Sequence, residues 1–354
     1  MIELILVWLI SLLGFVMADA FVRPRPKGLV RAWPGLWILA LCASILFGTT
    51  LALFGNPALA ALLTVGFSAV FAIASNAKRR VLGEPLLFSD LALVGAMLKH
   101  PQFYFSVLAL WQQVAGVVAL ALLLAVLLWL ADPSLPFAAF GLGLSAAALL
   151  GLALSFRVAP WRHLWGTPAA HGDVEAMGLA PTILAYWRRW KHARRTLLAQ
   201  TSEAPSPGEE REIKPAASDE LIVVVQCESF ADPEEVFAAE GVPLPQLKKA
   251  QRDSAQWGHL MVSGFGAYTM RTEYGVLFGR EESELGFLLY DPYLTALIDP
   301  SRALPQKLGG GRWRGVFVHP HDMRFYGRDA ILPKAGFETL VGEDHFDQPK
   351  PGEG

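Results

Sequence analysis

Long uncharged apolar runs fill the chain as far as Phe156 and then stop. Five of them approach the roughly 20 residues a helix needs to cross a hydrocarbon core: Ile2 to Phe21, Leu36 to Phe54, Pro57 to Ser75, Val107 to Ala131, and Phe137 to Phe156. They predict five transmembrane helices. Gly66 and Ser68 interrupt the third run, and small residues there suit a packed helix face in lipid; the alternative is an interfacial hairpin arm. The segment 76–105, between the third and fourth runs, is too charged to cross and too apolar for an ordinary loop. It is expected at the interface, with Ser89 capping a helix after Pro85. Lys78, Arg79 and Arg80 read as a snorkelling basic flank, with a lipid-headgroup contact as the alternative.

Past the fifth run the pattern changes period. Pro181 to Leu198 carries tryptophans and a basic face at helical spacing, as an amphipathic helix on a membrane surface does. A Pro-, Ser- and charge-rich spacer follows, and from Asp219 short strand-like and helical segments alternate. The expected organisation is a transmembrane domain over 1–157, a juxtamembrane helix and linker over 158–218, and an α/β domain over 219–354. In that last domain Leu221 to Val225 is β-branched and continuous, the signature of a central parallel strand buried on both faces.

Composition agrees with a membrane protein: 53% of the 354 residues are hydrophobic. The net charge of −2 argues against a nucleic-acid partner. Cys42 and Cys227, the only cysteines, supply neither a disulfide framework nor a thiolate metal site.

Chemistry concentrates after the strand-like runs. In open α/β sheets ligands bind beyond the carboxyl ends of strands. Glu228 follows the Leu221 to Val225 run directly, as a catalytic or metal-binding carboxylate would, though a surface turn acid reads the same way. The second element runs from Gly264 to Gly275: glycines, then Thr269, opening a helix. A helix start offers unpaired N–H groups and a positive dipole end to a phosphate. A metal-activated threonine hydroxyl there could attack phosphorus, although Thr269 could equally be a plain N-cap. Thr272 is the other candidate nucleophile. The third element follows a strand at Gly315 to Val318 and holds His319, His321, Tyr326, Arg328 and Asp329. The two histidines are too close to be opposed ligands on one strand face unless the loop curls. Asp329 reads as a helix cap.

Together, Glu228-Ser229-Phe230, the glycine turn, Thr269 and Glu273 four residues after it resemble the lipoteichoic-acid-synthase and phosphoglycerol-transferase branch of the sulfatase, alkaline-phosphatase-like superfamily. Five spans ahead of the domain, and a segment from Glu84 to Leu91, resemble the same family. The resemblance implies that Glu228 and Thr269 ligate one divalent metal, Mn²⁺ or Mg²⁺ rather than Zn²⁺, and that Thr269 is the nucleophile. It implies that Tyr326 and Arg328 hold phosphoglycerol, with Glu273, His319 and His321 also lining the site and Arg328 offering a planar fork to phosphate oxygens. Tyr326 stands where the family usually has Trp. The implied donor is phosphatidylglycerol and the implied acceptor an envelope glycan or polymer.

The family's downstream Asp-His pair has no counterpart in context, Asp344-His345 being the only such dipeptide. The expectation is therefore a domain incomplete at its C-terminus, and a 354-residue chain that does not turn over phosphatidylglycerol by itself. Competing readings are a phosphoethanolamine transferase or sulfatase of the same superfamily, and a non-catalytic membrane scaffold. The basic clusters at Arg23 to Arg31, Lys78 to Arg80 and Arg157 to Arg195 fall on one side of five alternating spans, which charge bias makes cytoplasmic. The resemblance implies the opposite: an inner-membrane, multi-pass protein with its catalytic domain periplasmic or extracellular.

Overall fold

The computed structural model describes residues 1–28, 30–91, 109–157, 165–203, 220–227, 230–238, 244–262, 269–290, 292–293, 302–308, 313–320 and 322–346. The chain divides into two compact units, Met1–Arg195 and Thr196–Gly354.

In the first unit, five helices among the described residues are long and apolar enough to span a membrane. They are α1 (Ile2–Ala20), α2 (Trp33–Phe54), α3 (Pro57–Leu82), α4 (Leu110–Trp129) and α5 (Leu135–Ser155). All five expected spans are helices. The third is continuous and longer than its apolar run, because Asn56 caps it by accepting from the Leu59 N–H at 3.1 Å and Pro57 suits its first position. Gly66, expected at a packed face, instead fronts open space. Ser68 is the residue that packs, donating to Phe15 O at 3.1 Å across α1 and α3.

Polar groups join the helices where lipid offers no hydrogen bonds. Trp8 Nε1 donates to Ser44 Oγ between α1 and α2, and Trp37 Nε1 to Ser155 Oγ between α2 and α5. At the α2–α5 crossing the backbones nearly touch. A Cβ added to Gly48 would sit 2.5 Å from Gly141 O, and one on Gly141 2.4 Å from Gly48 O. Gly48→Leu is expected to force the crossing open at about 1–3 kcal/mol or more, lowering the thermal midpoint in detergent. Gly66→Leu is the neutral control, and equal melting of the two variants would contradict this packing.

Two further helices follow at one end of the unit, the short α6 (Ala170–Met177) and the long α7 (Leu179–Glu203), whose last residues run past Arg195. Their anchor is Arg31, only 3% exposed, with Asp19 at 2%. Arg31 Nε donates to Asp19 Oδ2 at 3.0 Å, Nη1 to the carbonyls of Pro24, Val174 and Glu175, and Nη2 to those of Asp19 and Val22. Asp19 Oδ1 accepts from the Leu179 N–H at 2.8 Å. The basic clusters therefore do gather at one end of the bundle, the end where α1, α3 and α5 finish. The expected cap at Ser89 is corrected: the helical turn at 88–91 already includes it. Asp90 Oδ2 does the capping, accepting from Leu87 N–H at 2.6 Å and from Lys78 Nζ at 2.6 Å. Leu87 holds the cap position, and Asp90, three residues on, is placed for its carboxylate to reach back to the Leu87 N–H.

The second unit contains α8 (Pro233–Phe237), α9 (Pro245–Asp253), α10 (Thr269–Phe278), β1 (Gly315–Val318), α11 (Arg328–Ile331) and β2 (Phe337–Val341). β1 and β2 pair in parallel, Val316 opposite Thr339 and Val318 opposite Val341. Their connection carries α11, as parallel strands require a crossover. The core gathers Tyr274, Phe278, Tyr293, Ile331, Leu332 and Ala335. Leu221 to Val225, expected as a buried central strand, is unpaired and exposed, with Leu221 at 85% and Val225 at 75%. Among the described residues no neighbouring strand meets its backbone, and without a ladder β-branched composition alone does not bury a segment. Cys42 and Cys227 are both free thiols.

Candidate functional site

Thr269 opens α10 and is half-buried. Four residues on, and so on the same helix face, Glu273 is 5% exposed. Its carboxylate faces Arg328, the first residue of α11. Arg328 Nε donates to Oε1 at 2.9 Å and Nη2 to Oε2 at 2.9 Å. This is the bidentate geometry in which a guanidinium binds a carboxylate most strongly. The Tyr293 hydroxyl also donates to Oε1.

Aromatic rings wall the pair. Arg328 Cζ lies 5.2 Å from the centre of the Tyr326 ring and 5.7 Å from that of Tyr293. The two rings stack at 5.8 Å and 18°, and Tyr274 meets Tyr293 edge-on at 6.1 Å. Burial disfavours the charge of Arg328, but its hydrogen bonds to Glu273 and the carboxylate's charge more than offset this and hold the guanidinium above its usual range. Burial, and then the Glu273 charge, push the Tyr293 phenol well up. It therefore stays a protonated donor.

Two features of the cluster are unusual. Tyr326 has φ 60° and ψ 11°, followed by Gly327 at φ 67°. A left-handed tyrosine costs about 1–3 kcal/mol and persists only where its surroundings over-determine it; here the turn lays its ring on Arg328 and Tyr293. The second feature is Arg328 Nη1, which is buried without a hydrogen-bond partner among the described residues. An orphaned buried donor costs about 1–3 kcal/mol. Arg328 was expected to offer its planar fork to a phosphate, but one fork, Nε with Nη2, is engaged by Glu273, which leaves Nη1 as the donor a ligand oxygen could satisfy.

The remaining expected residues lie apart or undescribed. His319 N–H donates to Val341 O at 2.9 Å, extending the sheet, and its ring lies nearly parallel to Phe317 at 6.2 Å. Asp329 sits in the first turn of α11 behind an N-cap at Gly327 and accepts from Ala330 N–H. Glu228 and His321 fall outside the described residues, as does the glycine turn at 263–268, so the expected approach of Glu228 to Thr269 does too. No group of three or more His, Cys, Asp or Glu capable of holding a metal occurs among the described residues. Tyr293 stands in no motif, and Tyr274, although inside the Gly264 to Gly275 element, was given no role there.

The chain is 28% identical over 331 residues to the capsular polysaccharide biosynthesis protein RkpI of Rhizobium meliloti (strain 1021), covering 86% of this chain. It spans 58% of RkpI's length. No protein-family model and no solved structure matches the chain. The similarity joins a chain with five candidate membrane spans to a capsular polysaccharide biosynthesis protein.

Proposed function

We propose that this chain belongs to a membrane-bound transferase that moves phosphoglycerol from phosphatidylglycerol to an envelope glycan. The observation that carries the reading is the buried Arg328 beside the Tyr326 and Tyr293 rings, its Nη1 unpaired among the described residues and its orientation held by Glu273 on the helix that Thr269 opens. Because Glu273 already neutralises the guanidinium, Nη1 is a directed donor more than a bare cation. That suits a glycerol hydroxyl or a phosphodiester oxygen, with the Tyr326 ring against the glycerol carbons. The similarity to a capsular polysaccharide protein supports a glycan acceptor.

In this reading the Thr269 oxygen attacks phosphorus as the bond to the diacylglycerol oxygen breaks, and diacylglycerol leaves with a proton. An acceptor hydroxyl then attacks the phosphorus of the glycerophosphoryl-threonine, and the proton it loses goes to the departing Thr269 oxygen, which transfers phosphoglycerol to the acceptor. A divalent ion between Glu228 and Thr269, Mn²⁺ or Mg²⁺, is part of the proposal and would lower the threonine pKa and offset phosphoryl charge. The described donors are too few to test its fit, so the residue roles here rest on the chain itself. Glycerol 1-phosphate titrated onto the purified chain tests the seat. Binding should weaken roughly 10-fold or more in Tyr326→Asn, since Asn tolerates the left-handed backbone but removes the ring. Unchanged binding would sink the seat. In a gene product that supplies a downstream Asp-His pair, diacylglycerol release from labelled phosphatidylglycerol should fall to background in Thr269→Ala.

We also propose that the second unit lies outside the cytoplasm, where envelope glycan is built, since large domains cross largely regardless of flanking charge. A phosphatase reporter fused after Gly354 should be active and a cytoplasm-dependent one silent. The reverse would favour the charge bias.

A further inference from the structure

The first unit carries a groove unrelated to the Arg328 cluster. It lies between α1 and α3 and has a volume of about 700 Å³, within the roughly 300–1,000 Å³ of small-molecule sites. Its walls are apolar and include Gly14, Met17, Val65, Ala69 and Ile73. Met17 and Ile73 are 55% and 69% exposed, so the groove opens sideways, toward lipid. From Val65 to Asn76 the α3 wall rises about 16 Å, roughly half the ~30 Å hydrocarbon core. That is the depth of one leaflet.

At its mouth stand Arg23, Arg25, Arg79 and Arg80. Asn76 fixes this end, accepting from Arg23 N–H at 2.7 Å and donating to Phe21 O at 3.0 Å. Among the described residues none of the four arginines is paired with a carboxylate. Arg79 Nη2 approaches only His171 Nε2 at 3.5 Å, and Arg79 Nε is buried without a partner. Snorkelling explains arginines at a helix end. It does not explain four of them around a groove one leaflet deep, one with an orphaned buried nitrogen. Like charges gathered this way repel unless an anion lies among them.

We propose that this groove binds one anionic phospholipid of the surrounding bilayer, an acyl chain along the α1–α3 floor and the phosphate among the four arginines. The site does not rest on the transferase reading and holds whether the lipid is a substrate or a structural partner. Native mass spectrometry of the full chain in detergent, with phosphatidylglycerol or phosphatidylcholine added, tests it. The expected result is one phosphatidylglycerol retained with at least about 10-fold preference. Replacing all four with glutamine (Arg23→Gln, Arg25→Gln, Arg79→Gln, Arg80→Gln) should abolish the preference. Arg188→Gln with Arg194→Gln and Arg195→Gln, which removes charge from α7, should keep it. Ala69→Phe, which fills the floor and leaves every arginine, should lose the bound lipid while the thermal midpoint stays near that of the parent, separating site loss from unfolding. Equal retention of the two lipids by the parent, an undiminished preference in the glutamine variant, or a lipid-free dimer seated on the groove would overturn the proposal.

Discussion

Glu273→Ala is expected to destabilise the second unit by about 3–5 kcal/mol, the usual cost of stranding one partner of a buried ion pair. Arg328 is 3% exposed and would lose both of its hydrogen bonds, while Tyr293 would lose its acceptor. Water cannot replace them without opening the core that Tyr274, Phe278 and Ile331 build around the pair. Glu273→Gln should fall between, because its amide NH₂ would face a guanidinium N–H, donor against donor. Combining Glu273→Leu with Arg328→Met should recover most of the loss, since apolar replacement of a whole buried pair is often neutral or better. Limited proteolysis of the full chain, scored for cuts within 269–346, reads the order of stability. A Glu273→Ala protein as resistant as the parent would show that the pair is solvated in solution.

Arg31→Lys should be nearly as costly in the first unit. Arg31 makes six hydrogen bonds, to a carboxylate and five carbonyls. An ammonium has three donors and no planar fork, so at least three acceptors would be left unmet in a buried site. Because four of those carbonyls lie in the α1–α2 connection and on α6, and the fifth, that of Asp19, in the last turn of α1, the change should loosen the α6–α7 cap before it disturbs the spans. The expected readout is a fall of several degrees in the detergent melting midpoint, with new protease cuts near 170–180 and α1–α5 still protected. Gly178 makes the same end intolerant of bulk: its φ is 96°, and a Cβ there would lie 2.6 Å from Asp19 Oδ2. If Arg31→Lys melts like the parent, the network is not what fastens the cap.

The resemblance to phosphoglycerol transferases drew attention to Glu273, Tyr326 and Arg328, and the structure brings these three side chains together. It could not reveal that Glu273 consumes two nitrogens of Arg328, or that Tyr293 closes the ring. Those facts join residues up to 55 positions apart, and nothing in local spacing encodes them. Asp19 did carry a signal, an acid at the end of an apolar run with an arginine in the next loop. Its meaning depended on a partner that only packing supplies.

By itself, the order of residues determined the five spans though not all of their ends, α3 running on to Leu82 past its apolar run, because crossing a hydrocarbon core depends on the length and apolarity of one segment whatever its neighbours do. It likewise determined β1, a short apolar run whose residues matched the observed strand at Gly315–Val318. Tertiary structure alone decided which charges are buried and against what, which glycines are crossings and which are open, and why Leu221 to Val225 is an unpaired exposed segment. The physical reason is the same throughout. Burial, ion pairing and strand pairing are properties of two or more distant segments, and their free energy exists only once those segments meet.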